Sequence, residues 1–397
     1  MNFAVVGAGV VGLTIAKELL ARFPKANLEL YDAFSIPSKG TSIRNSGVLH
    51  AGLYYQPNSL KARLCSAGSS LLVDYIHVNK LPVLNCGKIL VPHTAEDVQS
   101  LYAIKSRADS NGCIAHLIHY EDALQKQPNI ARRDLYLWSP NTKVFSPFHI
   151  LGHLHFELLQ LGANLFTERV VGIDSDHTIL TLKSGASKRY DYIFNVAGPG
   201  ALRLYQAEHS DLNRLALLPI LGQYAVLTNG PEICTNLYPV PDPRSPFLGV
   251  HVTPRASCLL PILGPNAIPF FRSYFDEYES DDLINFLPRL GVEAAMFLTN
   301  SCNFRDHACS ELAFSAQRKF YANTIRFFDQ SARSSVAIQM TSSIYGIRPQ
   351  LVDIDRLHFV DDFICRTHNN TLHVVNAVSP AFTSSMALAK HLVDMMA

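Results

Sequence analysis

An α/β architecture (α+β overall), in two domains of which one is interrupted, is what this sequence predicts, and three observations carry it. The chain has 397 residues, too many for one compact core. It opens with a strand, a glycine-rich turn, a helix and a second strand in immediate succession. Junctions of the same kind, strand to glycine or strand to cap, recur near the middle and the end. Hydrophobic residues make up 48% and charged ones 17%, a balance that argues for a large buried interior and against disorder.

Phe3–Val6 is a short apolar run suited to a strand buried on both faces of a parallel sheet. Gly7-Ala8-Gly9-Val10-Val11-Gly12 follows, and Leu13, Ile15, Ala16, Leu19 and Leu20 give a helical pattern up to Phe23, where Pro24 stops it. Leu28–Tyr31 makes a second strand ending at Asp32. Each position has a physical reason. Gly7 permits the tight turn, Gly9 lets a pyrophosphate reach the backbone, and Gly12 lets helix and strand pack closely. The helix amino terminus offers N–H donors to phosphate. Asp32, 20 residues beyond Gly12, stands where an acid accepts hydrogen bonds from the ribose of an adenine nucleotide. A bare structural turn would need the glycines alone. Strand, helix, second strand and acid in order point to dinucleotide binding.

The next stretch, Ser38–Ser46, is polar and small, and leads into Gly47-Val48-Leu49-His50-Ala51-Gly52 and Tyr54-Tyr55, a segment suited to lining an extended cofactor. Tyr192–Ala197 reads as another buried strand running into Gly198-Pro199-Gly200. Leu372–Val375 reads as a strand leading through Ser379-Pro380 to Thr383, with a helix Met386–Met396 behind it. A nucleotide domain assembled from separated segments is the layout of many FAD enzymes. No second G-x-G-x-x-G for a pyridine nucleotide occurs, so the electrons are expected from the substrate and not from NAD(P)H. The expected division puts 1–80, 139–218 and 336–397 in a Rossmann-type FAD-binding domain and 81–138 and 219–335 in a substrate domain on a mixed sheet. Within Asp281–Asn323, Leu283, Phe286, Leu287 and Leu290 have helical spacing, followed by an expected loop at Thr299–Asp306.

From Gly40 to Cys65 the sequence GTSIRNSGVLHAGLYYQPNSLKARLC resembles the L-2-hydroxyglutarate dehydrogenase/oxidase family of FAD enzymes, within the D-amino-acid oxidase-like superfamily. The resemblance continues through Cys86-Gly87-Lys88, Asn195–Gly198, YPVPDPRSPFLGVHVT at 238–253, GPNA at 264–267, GIRPQ at 346–350, VDDF at 360–363 and NAVSPAFTSS at 376–385. It implies oxidation of L-2-hydroxyglutarate to 2-oxoglutarate, with hydride passing from C2 to flavin N5 and electrons going on to quinone or oxygen. It also implies site residues. Gly7, Gly9, Gly12 and Asp32 match the adenosine-diphosphate site, and Asn45, Ser46, Gly47 and His50 match the flavin-side loop. Ser379, Pro380 and Thr383 match the segment over the flavin pyrimidine edge, and Val171 and Gly198 are further cofactor-contact candidates. Two positions depart from the family: Arg44 replaces a histidine before Asn45-Ser46-Gly47, and Leu221 replaces an arginine within Pro219–Tyr224. An amine or amino-acid oxidase of the same superfamily, or a flavin-binding protein without turnover, is therefore the alternative.

Oxidising a 2-hydroxy acid needs a base for the hydroxyl proton and a clamp for the carboxylate. Arg348, between Gly346 and Pro349, is the clamp candidate because guanidinium presents two parallel donors; a structural ion pair is its plain alternative. His50 and His251 are the base candidates, since imidazole titrates near neutrality, and only one need act. Tyr55 joins the catalytic candidates. A dicarboxylate needs a second clamp, for which Lys88, Arg44, Tyr54, Tyr55 and Tyr224 are available, although tyrosines more often serve packing. The helix near Thr383 is expected to aim its amino-terminal donors at the flavin edge that gains charge.

The remaining features exclude other classes. A net charge of +1 offers no field for a polyanion, so no nucleic-acid partner is expected. The eight cysteines are dispersed, without a C-x-x-C pair, and read as buried hydrophobes or free thiols in a reducing compartment. His149, His153 and His155, and Cys302, His307 and Cys309, lack the acidic or cysteine partners of a metal cluster, so no metal is expected. No leader or span is evident. A cytoplasmic location follows as an expectation, with a peripheral contact on the inner face of a membrane if quinone is the acceptor.

Overall fold

The computed structural model describes residues 1–34, 40–242, 247–257, 259–269, 283–313 and 315–396, with backbone alone at 283–286 and 342–344. Two sheets organise it. In the first, Asn2–Val6 is central and lies parallel to Asn27–Asp32 on one side and Tyr192–Asn195 on the other. Asn164–Thr167 and Thr371–Asn376 extend it in parallel, and Ile364–His368 closes one edge as an antiparallel hairpin arm. Phe3, Ala4, Val5 and Val6 are all buried, as a central parallel strand covered on both faces requires.

Each face has its own cover. Helices Val10–Arg22, Leu60–Val78, Pro147–Gln160 and Ala381–Asp394 supply Leu13, Leu72, Leu154 and Leu388 to a core with Phe3, Leu30 and Val374. On the other face Ala4, Val6 and Ile193 meet Val170, Ile173, Leu180 and Leu182, from a small antiparallel sheet of Val170–Asp174, Ile179–Leu182 and Ser187–Arg189. Gly68 packs against the backbone of Thr383 and Ser384, where a Cβ would lie 2.7 Å from Ser384 Cα. The second helix thereby sits tight on the last.

The second sheet is mixed and nine-stranded, running His358–Phe359, Ala337–Asp353, Leu215–Asn229, Ile262–Leu263, Val252–Thr253, Asn236–Pro239, Lys88–Val91, Tyr136–Ser139, His116–Ile118. Its spine is the antiparallel ladder from Leu215↔Asp353 to Asn229↔Ala337. That ladder corrects the expected division: 337–359 and 215–218 belong to the second sheet, and the last segment of the first begins at Ile364. Strand propensity marks such a segment as strand, and only its pairing decides the sheet. Two further differences concern helices. The last helix starts at Ala381, before the expected Met386, and Thr299–Asp306 holds a 3-10 turn at Ser301–Asn303 and the start of a helix Phe304–Leu312. Of the expected apolar spacing in the preceding helix, Leu283–Thr299, the side chains of Leu283 and Phe286 lie outside the described residues. Among those described, no helix is long and apolar enough to cross a membrane.

Candidate functional site

The carboxyl ends of the first sheet open into a cavity of about 200 Å³ that touches Gly7, Gly9, Asp32, Ser42, Gly198, Leu217, Pro349, Asn376 and Ala381. Its floor is the glycine turn. Gly7 has φ of +110°, and a Cβ there would overlap Val196 O; a Cβ on Gly12 would overlap Gly7 O. The helix starting at Val10 aims its first N–H groups this way, and Val10 N–H is capped by Ser42 Oγ at 3.0 Å. Asp32 receives Ala8 N–H on Oδ2 at 2.8 Å and Phe34 N–H on Oδ1 at 2.9 Å, while burial pushes its pKa up. A carboxylate has lone pairs to spare beyond two donors. Glycine cradle, helix terminus, buried acid and the cavity they border fit the nucleotide part of FAD.

Other expected cofactor residues are placed variously. Gly198, at φ +58°, starts the helix Pro199–Gln206 and lines the cavity. Asn45 braces its own loop, donating to Ser42 O at 2.7 Å and accepting Gly47 N–H at 2.9 Å, with half-buried Ser46 between. Gly47, at φ +69°, leaves no room for a Cβ beside Phe145 O. Ser379 is exposed, Pro380 is buried, and Thr383 Oγ1 accepts His50 N–H at 3.2 Å, tying the last helix to the loop. Val171 is a correction: it is 42% exposed, and Val170 faces the cavity instead. Strand alternation turns successive residues to opposite faces.

A second cluster forms where the nine-stranded sheet meets this loop. His251, 5% exposed, lies flat on Tyr238 with ring centres 4.0 Å apart. Its Nδ1 faces Gly249 O at 3.2 Å and must donate there, which leaves Nε2 as an acceptor, buried and without a partner. Burial, then Arg348 and Lys88, push its pKa down to about 3. His50 is also lowered to about 3, by burial and then by Lys88, His251 and Lys61. Arg348 donates through Nη2 to Asn266 O at 2.8 Å and stands 5.8 Å from the Phe247 ring centre. The arginine sits near Tyr224, whose hydroxyl is pushed up to about 12 chiefly by burial. Tyr55 is raised well above its ordinary value by burial, and Lys61 Nζ stands 5.5 Å from its ring centre.

The fold also places the second-clamp candidates and the two departing positions. Lys88 is 1% exposed, held between the rings of Tyr54 and Tyr238, and its pKa is lowered to about 7 by burial. Its signal in the sequence is a lysine heading the otherwise apolar Lys88–Val91. Asn266 fixes the carbonyl that Arg348 uses by accepting Gln223 N–H at 2.7 Å. Leu221 forms an isolated bridge with Ile268 and pairs across from Ile347. Arg44 lies over the Tyr345 ring at 4.7 Å.

The histidine groups considered for metal do not converge. His149 bonds Ser146 Oγ, His153 bonds the Tyr75 hydroxyl, and His307 donates to Ala267 O. Glu208, His209 and His373 do bring ligand atoms within 4.8 Å of one another. However, Asn195 Nδ2 donates both to Ala201 O and to His373 Nδ1, so the His373 proton sits on Nε2, facing Ser175 Oγ at 3.3 Å. A protonated nitrogen is not a ligand.

Histidines held neutral by the fold make it acid-sensitive. His50, His251 and His373 all have folded values near 3, below an unfolded value of about 6.5. The unfolded chain therefore binds more protons in that window, and stability is lost as pH falls through it. We expect the urea midpoint of the FAD-free protein to drop between about pH 7 and pH 5; an unchanged midpoint would show that these rings are not neutral in the fold.

Comparison with known proteins agrees with this geometry. The pattern of FAD-dependent oxidoreductases of the DAO type matches residues 2–395. The chain is 32% identical to the mitochondrial L-2-hydroxyglutarate dehydrogenase of Caenorhabditis elegans, over 98% of this chain and 91% of that one, and 29% identical to the human enzyme of that name, over 99% and 88%. Among solved structures, FAD-bound L-α-glycerophosphate oxidase from Mycoplasma pneumoniae superposes with a TM-score of 0.72 at 19% identity, covering 100% of this chain and 94% of that one. The fold is thus that of FAD-binding oxidases, and the chain belongs to the FAD-dependent oxidoreductase family.

Proposed function

We propose that the protein oxidises L-2-hydroxyglutarate to 2-oxoglutarate. The observation that carries the reading is the setting of His251: a neutral imidazole with a free acceptor nitrogen, flanked by two buried cations, Arg348 and Lys88. A hydroxy dicarboxylate is complementary to that arrangement. Arg348 clamps the carboxylate next to C2, leaving the C2 hydroxyl to donate to His251 Nε2. The anion also compensates the two positive charges that help to hold His251 neutral, so the affinity of Nε2 for a proton rises once substrate is in place. FAD, when bound, supplies the two-electron acceptor for the C2 hydrogen. The names of the relatives support the same substrate. His50 borders the same space and is kept by Thr383 at the junction with the last helix.

The decisive experiment is an anaerobic visible spectrum of the purified holoprotein before and after L-2-hydroxyglutarate. We expect bleaching at about 450 nm with the L enantiomer alone; an unchanged flavin spectrum removes the substrate assignment and leaves the fold. Re-oxidation we assign to quinone or oxygen, and oxygen uptake measured against reduction of a soluble quinone separates them. Phe148 and Phe156, 61% and 60% exposed on Pro147–Gln160, are apolar surface available for a peripheral membrane contact in the quinone case.

A further inference from the structure

A buried cation needs compensation. Lys88 has none from a carboxylate among the described residues: its Nζ faces the rings of Tyr54 and Tyr238, 4.6 Å and 5.0 Å from their centres. Such contacts satisfy an ammonium in part only, and isolated buried charge is costly. The hydroxyl of the same Tyr54 is buried and has no hydrogen-bond partner. An ammonium and a phenol, both donors and both lacking an acceptor, therefore stand together near His251. Arg348 differs, because one of its nitrogens already bonds Asn266 O and Tyr224 lies beside it. His251 feels both cations.

We propose that Lys88, with the Tyr54 hydroxyl beside it, receives the distal carboxylate of the substrate and is the residue that makes the site specific for dicarboxylates. The inference rests on the 2-hydroxy-acid reading above and deepens it. A monocarboxylate of equal length would leave Lys88 uncompensated, and so would be disfavoured by the cost of the unpaired buried charge.

The test uses the holoenzyme and two inert probes, glutarate and pentanoate, with binding followed by perturbation of the flavin spectrum. Wild type should bind glutarate roughly 100-fold more tightly, the range seen when one partner of a buried charged pair is removed. Lys88→Met should erase that preference while leaving pentanoate binding within about threefold, and Lys88→Arg should restore part of it. Equal weakening of both probes by Lys88→Met, a preference that survives it, or a wild type without preference would each overturn the proposal.

Should Lys88→Met fail to retain FAD, the wild type decides through pH. The groups facing Lys88 are His50, His251, Cys65, Cys113, Tyr54 and Tyr238. The histidines are neutral above about 3, and the thiols and phenols are all raised by burial. Lys88 alone titrates near neutrality, at about 7. The glutarate preference should then fall by up to tenfold per pH unit above that value, and a flat preference overturns the proposal. The two readings fail separately. Bleaching by L-2-hydroxyglutarate with a Lys88-independent preference removes only the role of Lys88. Lys88-dependent glutarate binding without bleaching removes only the reaction.

Discussion

Gly12→Ala is expected to give a folded protein that purifies without yellow colour. The Cβ added there would overlap Gly7 O and crowd the Val196 side chain, which lies 3.3 Å away. Neither neighbour is a flexible tip. Gly7 O belongs to the turn whose backbone must approach the cofactor, and Gly7 is itself locked at φ +110° against Val196 O. The methyl group can be accommodated only by moving the helix away from the strand, which displaces the helix terminus that would receive the pyrophosphate. We expect at least a 100-fold loss of FAD affinity, of the order of 3 kcal/mol by the tenfold-per-1.4 rule. Flavin content per chain, read from the visible and ultraviolet absorbance, checks it. Gly152→Ala is the control, since nothing lies within 4 Å of a Cβ on that helical glycine; it should keep full flavin. A Gly12→Ala protein with stoichiometric FAD would show that close approach at this turn is dispensable.

The amino-terminal unit was legible because each of its constraints is local. A short apolar strand, three glycines, a helix and a terminal acid lie within Asn2–Asp32, and spacing alone relates them. The second sheet was less legible. Ala337–Asp353 reads as a strand, but its partner Leu215–Asn229 lies more than a hundred residues earlier, and no local pattern states that pairing. The same distinction runs through the candidate site. Glycines and the acid carry positional signatures; Val171 and Val170 differ only in which face of a strand they take, which a one-residue change of phase reverses. Lys88 was undervalued for a related reason. A lysine in sequence is by default an exposed residue, and its burial follows only from Lys88–Val91 lying between Asn236–Pro239 and Tyr136–Ser139.

Replacing His251 by glutamine is expected to slow flavin reduction by L-2-hydroxyglutarate by about 100- to 10,000-fold, the span attributed to a general base, while glutarate affinity changes little. The argument begins from the tautomer. Gly249 O can only accept, so Nδ1 of His251 carries the proton and Nε2 holds a buried, unpartnered lone pair. Stacking on Tyr238, at 17° between ring planes, holds the imidazole in that orientation. Glutamine preserves polarity and approximate reach but accepts no proton at any working pH. The loss should therefore appear in the limiting rate of reduction and not in binding, because in the proposed site the carboxylates fall to Arg348 and Lys88 and not to the imidazole. His50→Gln is the comparison. Among the described residues no side-chain hydrogen bond fixes the tautomer of His50, and its tie to the structure is through its backbone N–H to Thr383 Oγ1, so a smaller loss, within about tenfold, is expected. Stopped-flow reduction of both variants at saturating substrate gives the ranking. If His50→Gln proves the slower enzyme, the proton leaves through His50, and the free nitrogen of His251 orients the hydroxyl without taking its proton.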